Sequence, residues 1–390
     1  MSIFDKIIDR RGTNALKWDT LPADTLPLWV ADMDFEAAPA IRAAVAKRVE
    51  HGIFGYTVVD DDYYNAIISW FRRRHQWDIR REWIIYTTGV VPAVSCAIKA
   101  QTLPGEQVLM MTPVYSCFYS SIRNQGCTLA ESRLLRDGDG WTVDWADFEA
   151  RCAEEKTTVF LLCNPHNPVG RVWTREELER MGDICHRHGV CVISDEIHCE
   201  LVMPGYRFTP FAAVNDVNRD LCTTLNSPSK SFNIAGLQIA NIICSDDVTR
   251  RRIDRVVNIY EVCDVNPFGP IALKAAYNES EDWLDALNAY LWDNYQCLRT
   301  WFATRLPQVV VSRLEGTYLA WVDVAPLGMT SDAAARALLE DAKVCVSSGT
   351  LYGRESGEGF LRINLACPRS ILQTALERMG KVLGVQSPAV

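Results

Sequence analysis

TVFLLCNPHNPVGRVWTREELERMGDICHRHGVCVISD, residues 158–195, is the stretch from which the fold can be read. Thr158 to Cys163 is a short, almost wholly apolar run, as expected of a strand covered on both faces of its sheet. Asn164-Pro165-His166-Asn167-Pro168-Val169-Gly170 follows as a rigid loop that presents Asn167 as a neutral donor. Beyond Trp173, Thr174 and Glu177 make a capping box that opens a helix, and Gly189 stands where a left-handed cap would end it. A second apolar run, Val190 to Ser194, then delivers Asp195 to a carboxyl strand end, where open α/β sheets bind ligands.

The same alternation extends outward in both directions. Ile41, Val45 and Val49 recur every four residues behind Pro39, Tyr63 to Phe71 carries a second helical stripe, and a third helix is expected after Gly89. Strands are expected at Gln107 to Met111, Leu221 to Leu225 and Gln238 to Cys244. Together these predict an α/β protein with a largely parallel sheet. Past Gly269 the texture changes to a long amphipathic helix around Trp283 to Phe302, strands Tyr318 to Val324 and Phe360 to Ala366, and helices Ser331 to Asp341 and Ser370 to Val382, which reads as a smaller α+β unit. The expected division is an N-terminal segment, 1–36, associated with the small unit, a large domain, 37–268, and the small domain, 269–390.

Composition narrows the function. A net charge of -9 argues against nucleic acid, whose binding needs a basic surface, and Arg72-Arg73-Arg74 reads as a solvated helix end. No apolar stretch approaches a membrane span, and Asp5, Lys6 and Asp9 interrupt the N-terminus, so a cytoplasmic location is expected. The 14 cysteines are scattered through apolar segments and read as reduced core residues. Cys185, His186, His188 and Cys191, with His198 and Cys199 further on, lack metal-ligand spacing, so no metal is expected.

The chemistry gathers at predicted strand ends. Ser227-Pro228-Ser229-Lys230 follows one strand and Asp195 ends its neighbour: an amine for a Schiff base and a carboxylate for a pyridine nitrogen, which is what pyridoxal phosphate requires. Thr87-Thr88-Gly89-Val90-Val91 runs from a strand into a helix, whose free N–H groups suit a phosphate. Tyr115, in Thr112-Pro113-Val114-Tyr115, is either core or a platform for a flat ring. Each signal alone is weak; their joint occurrence, in order, is specific.

Those residues resemble fold-type I pyridoxal-phosphate enzymes of the class I/II aminotransferase superfamily. Within it, Ala31-Asp32-Met33-Asp34-Phe35, Gly52-Ile53-Phe54-Gly55-Tyr56, Asp195-Glu196-Ile197-His198, Ser229-Lys230-Ser231-Phe232-Asn233 and Thr317-Tyr318-Leu319-Ala320-Trp321 are similar to the MalY/PatB branch of cystathionine β-lyases. The resemblance implies a seven-stranded, mostly parallel sheet between helices, and a homodimer. It makes Lys230 the Schiff-base lysine and acid/base at Cα, Asp195 the partner of the pyridine nitrogen, Asn167 the partner of the ring's phenolic oxygen, and Tyr115 the stacking ring. Gly89, Val90, Val91 and Ser227 would hold the phosphate, joined by Tyr56 from a second subunit, and His198 would lie near the ring. Arg362 would clamp the substrate carboxylate, with Asn167 beside it, and Tyr115 or Tyr56 would protonate the leaving group. His198 stands where typical aminotransferases carry tyrosine, and Gln238 where many carry a phosphate-binding arginine. The implied activity is a carbon–sulfur β-lyase acting on L-cystathionine or related S-substituted L-cysteines. An aminotransferase is the alternative, and a protein acting mainly through a regulatory partner is a third reading.

Overall fold

The computed structural model describes residues 2–384; Met1 and residues 385–390, which the expected N-terminal segment and small domain included, lie outside the described residues. One sheet contains β1 (Ile84–Thr87), β2 (Gln107–Thr112), β3 (Thr128–Arg133), β4 (Thr157–Cys163), β5 (Cys191–Asp195), β6 (Cys222–Asn226) and β7 (Ala240–Cys244). Their order is β1-β7-β6-β5-β4-β2-β3. Only β7 runs against its neighbours, so this is the mostly parallel seven-stranded sheet that the family resemblance implied.

Side-chain alternation explains why the central strands read as unbroken apolar runs. Val108, Met110, Val159 and Leu161 face a core shared with α3 (Val90–Gln101) and α6 (Asp247–Ile259). Leu109, Met111, Phe160 and Leu162 face the larger core on the other side. Both faces are covered, so these positions favour apolar residues on either side. Between β4 and β5 runs α5 (Arg175–His188): Thr174 Oγ1 accepts from Glu177 N–H at 3.2 Å, Glu177 Oε2 accepts from Thr174 N–H at 2.8 Å, and Gly189 closes the helix at φ 69°. Registry places Asp195 beside Cys163 on β4 and Leu225 on β6, so three loops leave the sheet at one level.

A second, antiparallel sheet contains β8 (Val310–Val311), β9 (Leu319–Asp323), β10 (Ser347–Ser348) and β11 (Phe360–Asn364), in the order β8-β9-β11-β10. The N-terminal segment is tied to this region: Leu26 and Pro27 pair in parallel with Val344 and Cys345, and Asn364 Nδ2 donates to the Asp32 carbonyl at 2.7 Å. Lys17 is wholly buried with its Nζ 2.9 Å from Asp34 Oδ2, and Arg10 bridges Asp32 and Asp34 at 2.8 Å each. Removing one partner from such a buried pair costs about 3–5 kcal/mol. The network therefore fixes the backbone at Ala31, which reaches the site. Among the described residues no helix is long and apolar enough to cross a membrane.

Candidate active site

The carboxyl ends of β1, β2, β4, β5 and β6 surround a cavity of ≈ 290 Å³. Gly89, Val90, Val91, Tyr115, Asn167, Asp195, His198 and Lys230, drawn from five separate stretches of sequence, all line it. Lys230 projects from the turn after β6, which closes on itself through Phe232 N–H to Pro228 O (2.9 Å) and Ile234 N–H to Ser229 O (3.0 Å). Its Nζ donates to the Ala31 carbonyl at 2.7 Å, and Tyr318 OH donates to the same oxygen at 2.8 Å. Burial, with Arg362 nearby, lowers the Lys230 ammonium to about 8, bringing the free amine within reach of neutral pH.

Asp195 is buried and, among the described residues, its carboxylate accepts only the Ile197 N–H, at 3.1 Å. Burial raises it to about 7, and Lys230 opposes that shift. His198 stands edge-on to Tyr318 with its Nδ1 unpartnered; burial, then the charges of Lys230 and Arg362, lower it to about 3, so the ring is neutral. Tyr115 is the residue before α4 (Ser116–Asn124), and burial raises its phenol well above the ordinary value, so it keeps its proton. Gly89 precedes α3, directing the first free N–H groups of that helix into the cavity.

Arg362 on β11 reaches this group from the second sheet. Its Nη1 donates to Asn167 Oδ1 at 3.2 Å, its Nη2 to the Trp29 carbonyl at 2.8 Å, its guanidinium lies 4.6 Å from the Tyr352 ring centroid, and its Nε has no partner. With Oδ1 engaged by Arg362, the Asn167 amide NH₂ is left for a ligand. Arg362 is thus joined to the cavity through Asn167 without lining it, and two further expected residues lie outside the lining. Ser227 sits behind the wall, its hydroxyl donating to Ile239 O at 2.6 Å and accepting from Ser229 N–H at 3.0 Å, and Ser229 lines the cavity instead. Tyr56 is fully exposed, at 101%. Gln238 lines the cavity at φ 51°, and Lys230 is the one cationic side chain among the lining residues.

These groups fit pyridoxal phosphate. They supply an amine of lowered basicity, a buried carboxyl short of donors, an uncommitted amide and a helix N-terminus, spaced around one cavity. Sequence reasoning missed the Ala31 carbonyl, because a backbone acceptor leaves no mark in residue type, and it named Ser227 without Ser229. The cysteines and histidines considered for a metal are dispersed: Cys185 is in the core and His198 in the cavity, while Cys199 meets His75 and Glu200. Glu200 there accepts from Trp70 (2.6 Å) and His75 (2.7 Å) and faces Arg74, an ion-pair network that already neutralises it.

The family model for aminotransferase class I and II matches residues 23–379. The chain is 39% identical over 385 residues to cystathionine beta-lyase PatB of Bacillus subtilis (strain 168), covering 97% of this chain and 99% of that protein. Among solved structures, a PLP-bound putative aminotransferase from Clostridium difficile 630 superposes with a TM-score of 0.95 at 37% identity, covering 98% of this chain and 99% of that one. The PLP-bound C-S lyase from Staphylococcus hominis superposes with a TM-score of 0.91 at 31% identity, covering 98% of each chain.

Proposed function

The chain belongs to the class I and II aminotransferase family, and from that premise we propose that it is a pyridoxal-phosphate-dependent carbon–sulfur lyase. It cleaves L-cystathionine or another S-substituted L-cysteine, with water, to a thiol, pyruvate and ammonia. The observation that carries this reading is full-length similarity to proteins named cystathionine beta-lyase and C-S lyase, on a chain whose own cavity fits the cofactor. Bound pyridoxal phosphate supplies an electron sink that lowers the cost of a carbanion at Cα.

The chain's residues do the rest. Lys230 holds the cofactor, and its amine, near-neutral in basicity, takes the Cα proton. Asp195 would pair with the pyridine nitrogen and keep it protonated, and that positive partner would favour the ionised carboxylate that burial alone opposes. Arg362 binds the α-carboxylate through its planar fork, and Asn167, oriented by Arg362, donates to the phenolic oxygen. Tyr115 would stack on the bound ring, and His198, neutral in the same cavity, would add no charge. The sulfur leaves as a thiol after accepting a proton from Tyr115, whose phenol carries its proton up to that step, or from Tyr56 of the partner subunit.

With no arginine at Gln238, the phosphate would be held by N–H groups at Gly89, Val90 and Val91 and by the hydroxyl of Ser229, which lines the cavity where Ser227 does not, with Tyr56 of a second subunit completing the site. Homodimerisation is supported by the apolar side chains bared around Tyr56: Ile53, Phe54 and Val58 are all more than half exposed. A cytoplasmic location is supported by 14 unpaired cysteines, as expected where thiols stay reduced.

The test follows the absorption of the purified protein as L-cystathionine is added, with pyruvate measured in parallel. A visible cofactor band and continuous pyruvate release without an added 2-oxo acid is the expected result. Loss of the band without pyruvate would favour the aminotransferase reading instead.

A further inference from the structure

Glu196 follows Asp195 yet does not line the cavity, and its side chain has no exposed surface. Its Oε1 accepts from Ser194 Oγ and from Phe211 N–H, both at 2.8 Å. Its Oε2 is buried with no donor. Asn164, the first residue of the loop after β4, shows the complementary defect: Nδ2 donates to the Thr209 carbonyl at 3.1 Å, while the buried Oδ1 has no donor. Both side chains are tied to one short segment, Asn164 through the Thr209 carbonyl and Glu196 through the Phe211 N–H, which brings the two unpartnered oxygens to the same junction. An ionised Glu196 would leave two buried oxygens short of one hydrogen. It would also place an unpaired charge in a dry core, which proteins avoid.

The titratable groups facing Glu196 all oppose a negative charge: the Asp195 carboxyl and the Cys199 and Cys222 thiols. Among the described residues it makes no ion pair with lysine, arginine or histidine. Burial raises its carboxyl to about 8, outweighing the donors at Phe211, Ser194 and Asn164 that favour the charged form, and Asp195 adds to the rise.

We propose that Glu196 is a neutral carboxylic acid in the working protein, its Oε2–H donating to Asn164 Oδ1 and pinning the Asn164-to-Gly170 loop to the strand end that carries Asp195. The backbone bond from Asn164 N–H to Asp195 O, at 2.9 Å, lies across the same junction. Glu196 is thus a positioning residue. It fixes the loop that presents Asn167 and leaves Asp195 the one carboxylate at that wall. Only this catalytic consequence rests on the cofactor reading; the protonation state does not.

Two variants and the apoprotein test it. Isotope-edited infrared spectra of apoprotein carrying labelled glutamate should show a protonated-carboxyl band at neutral pH that disappears in Glu196→Gln. Glu196→Gln keeps a donor toward Asn164 and an acceptor for Ser194 and Phe211. It should therefore hold kcat within about twofold and leave the pH titration of the visible cofactor band in place. Glu196→Leu, which satisfies none of the three partners, should lose about tenfold or more in kcat. A shifted pH titration in Glu196→Gln, or a glutamate spectrum containing carboxylate bands alone, overturns the proposal even if Glu196→Leu fails to fold. A protein that does not bind pyridoxal phosphate would instead defeat the proposed function and leave the infrared result standing.

Discussion

At the residue level, the site is governed by how burial redistributes protons. Lys230 is lowered toward neutrality and Asp195 raised toward it, both first by desolvation, so each sits where a small change in surroundings changes its charge. Lys230→Ala removes the only amine among the described residues that line the cavity. It should lower turnover by about 10³-fold or more while leaving far-ultraviolet circular dichroism unchanged, and near-normal pyruvate release would reject the assignment. Arg362→Lys keeps the positive charge but loses the fork that spans Asn167 and Trp29. Steady-state kinetics should show KM raised by about tenfold with a smaller fall in kcat, whereas an unchanged KM would place the carboxylate elsewhere. Lys230, Asp195 and Asn167 were legible in the sequence because their chemistry resides in the side chain and their spacing in short motifs. Ala31 was not legible as a ligand, because what it offers Lys230 and Tyr318 is a carbonyl that any residue could supply.

At the level of elements, punctuation and periodicity decided what could be read. The α5 capping box and its Gly189 closure were visible as residue types at fixed offsets, and the geometry follows them. Strand β3 was not foreseen, because Thr128 to Arg133 is an edge strand whose exposed Thr128, Glu131 and Arg133 break up the apolar run that marked its neighbours. Elements expected at Tyr318 to Val324 and Phe360 to Ala366 are shorter in the fold, at Leu319–Asp323 and Phe360–Asn364, because strand pairing stops where the chain turns to meet the N-terminal segment. Thr174→Ala tests how much the α5 cap matters. It deletes the acceptor for Glu177 N–H and leaves the 2.6 Å pair between Arg171 and Glu177 in place. The expected loss is about 1 kcal/mol, read as a fall in Tm of about 1–2 °C with activity unaltered. An unchanged Tm would mean that the Arg171 pair alone sets the helix start.

For the molecule as a whole, packing so many thiols inside the fold couples its stability to pH. Cys96, Cys163, Cys185, Cys199, Cys222, Cys244 and Cys367 are buried, and desolvation raises every one of them. In the unfolded chain a thiol releases its proton near about pH 8.5, whereas in the fold it keeps it. The unfolded state therefore binds fewer protons above that point, and stability falls as pH rises, by at most about 1.4 kcal/mol per pH unit for each group. Lys230 acts in the opposite sense, because its lowered value makes the unfolded chain the better proton binder above about 8. One lysine against seven thiols leaves the alkaline loss dominant. Thermal denaturation in reducing buffer from about pH 7 to about pH 10 should show Tm declining by about 1–2 °C to about pH 8, the share of the raised Glu196 carboxyl, and dropping by several degrees per unit above about pH 8.5. A Tm that stays level to about pH 10 would mean that water reaches these thiols and they titrate in place. The cysteines would then have to be read as wetted side chains rather than as the apolar packing their burial implies.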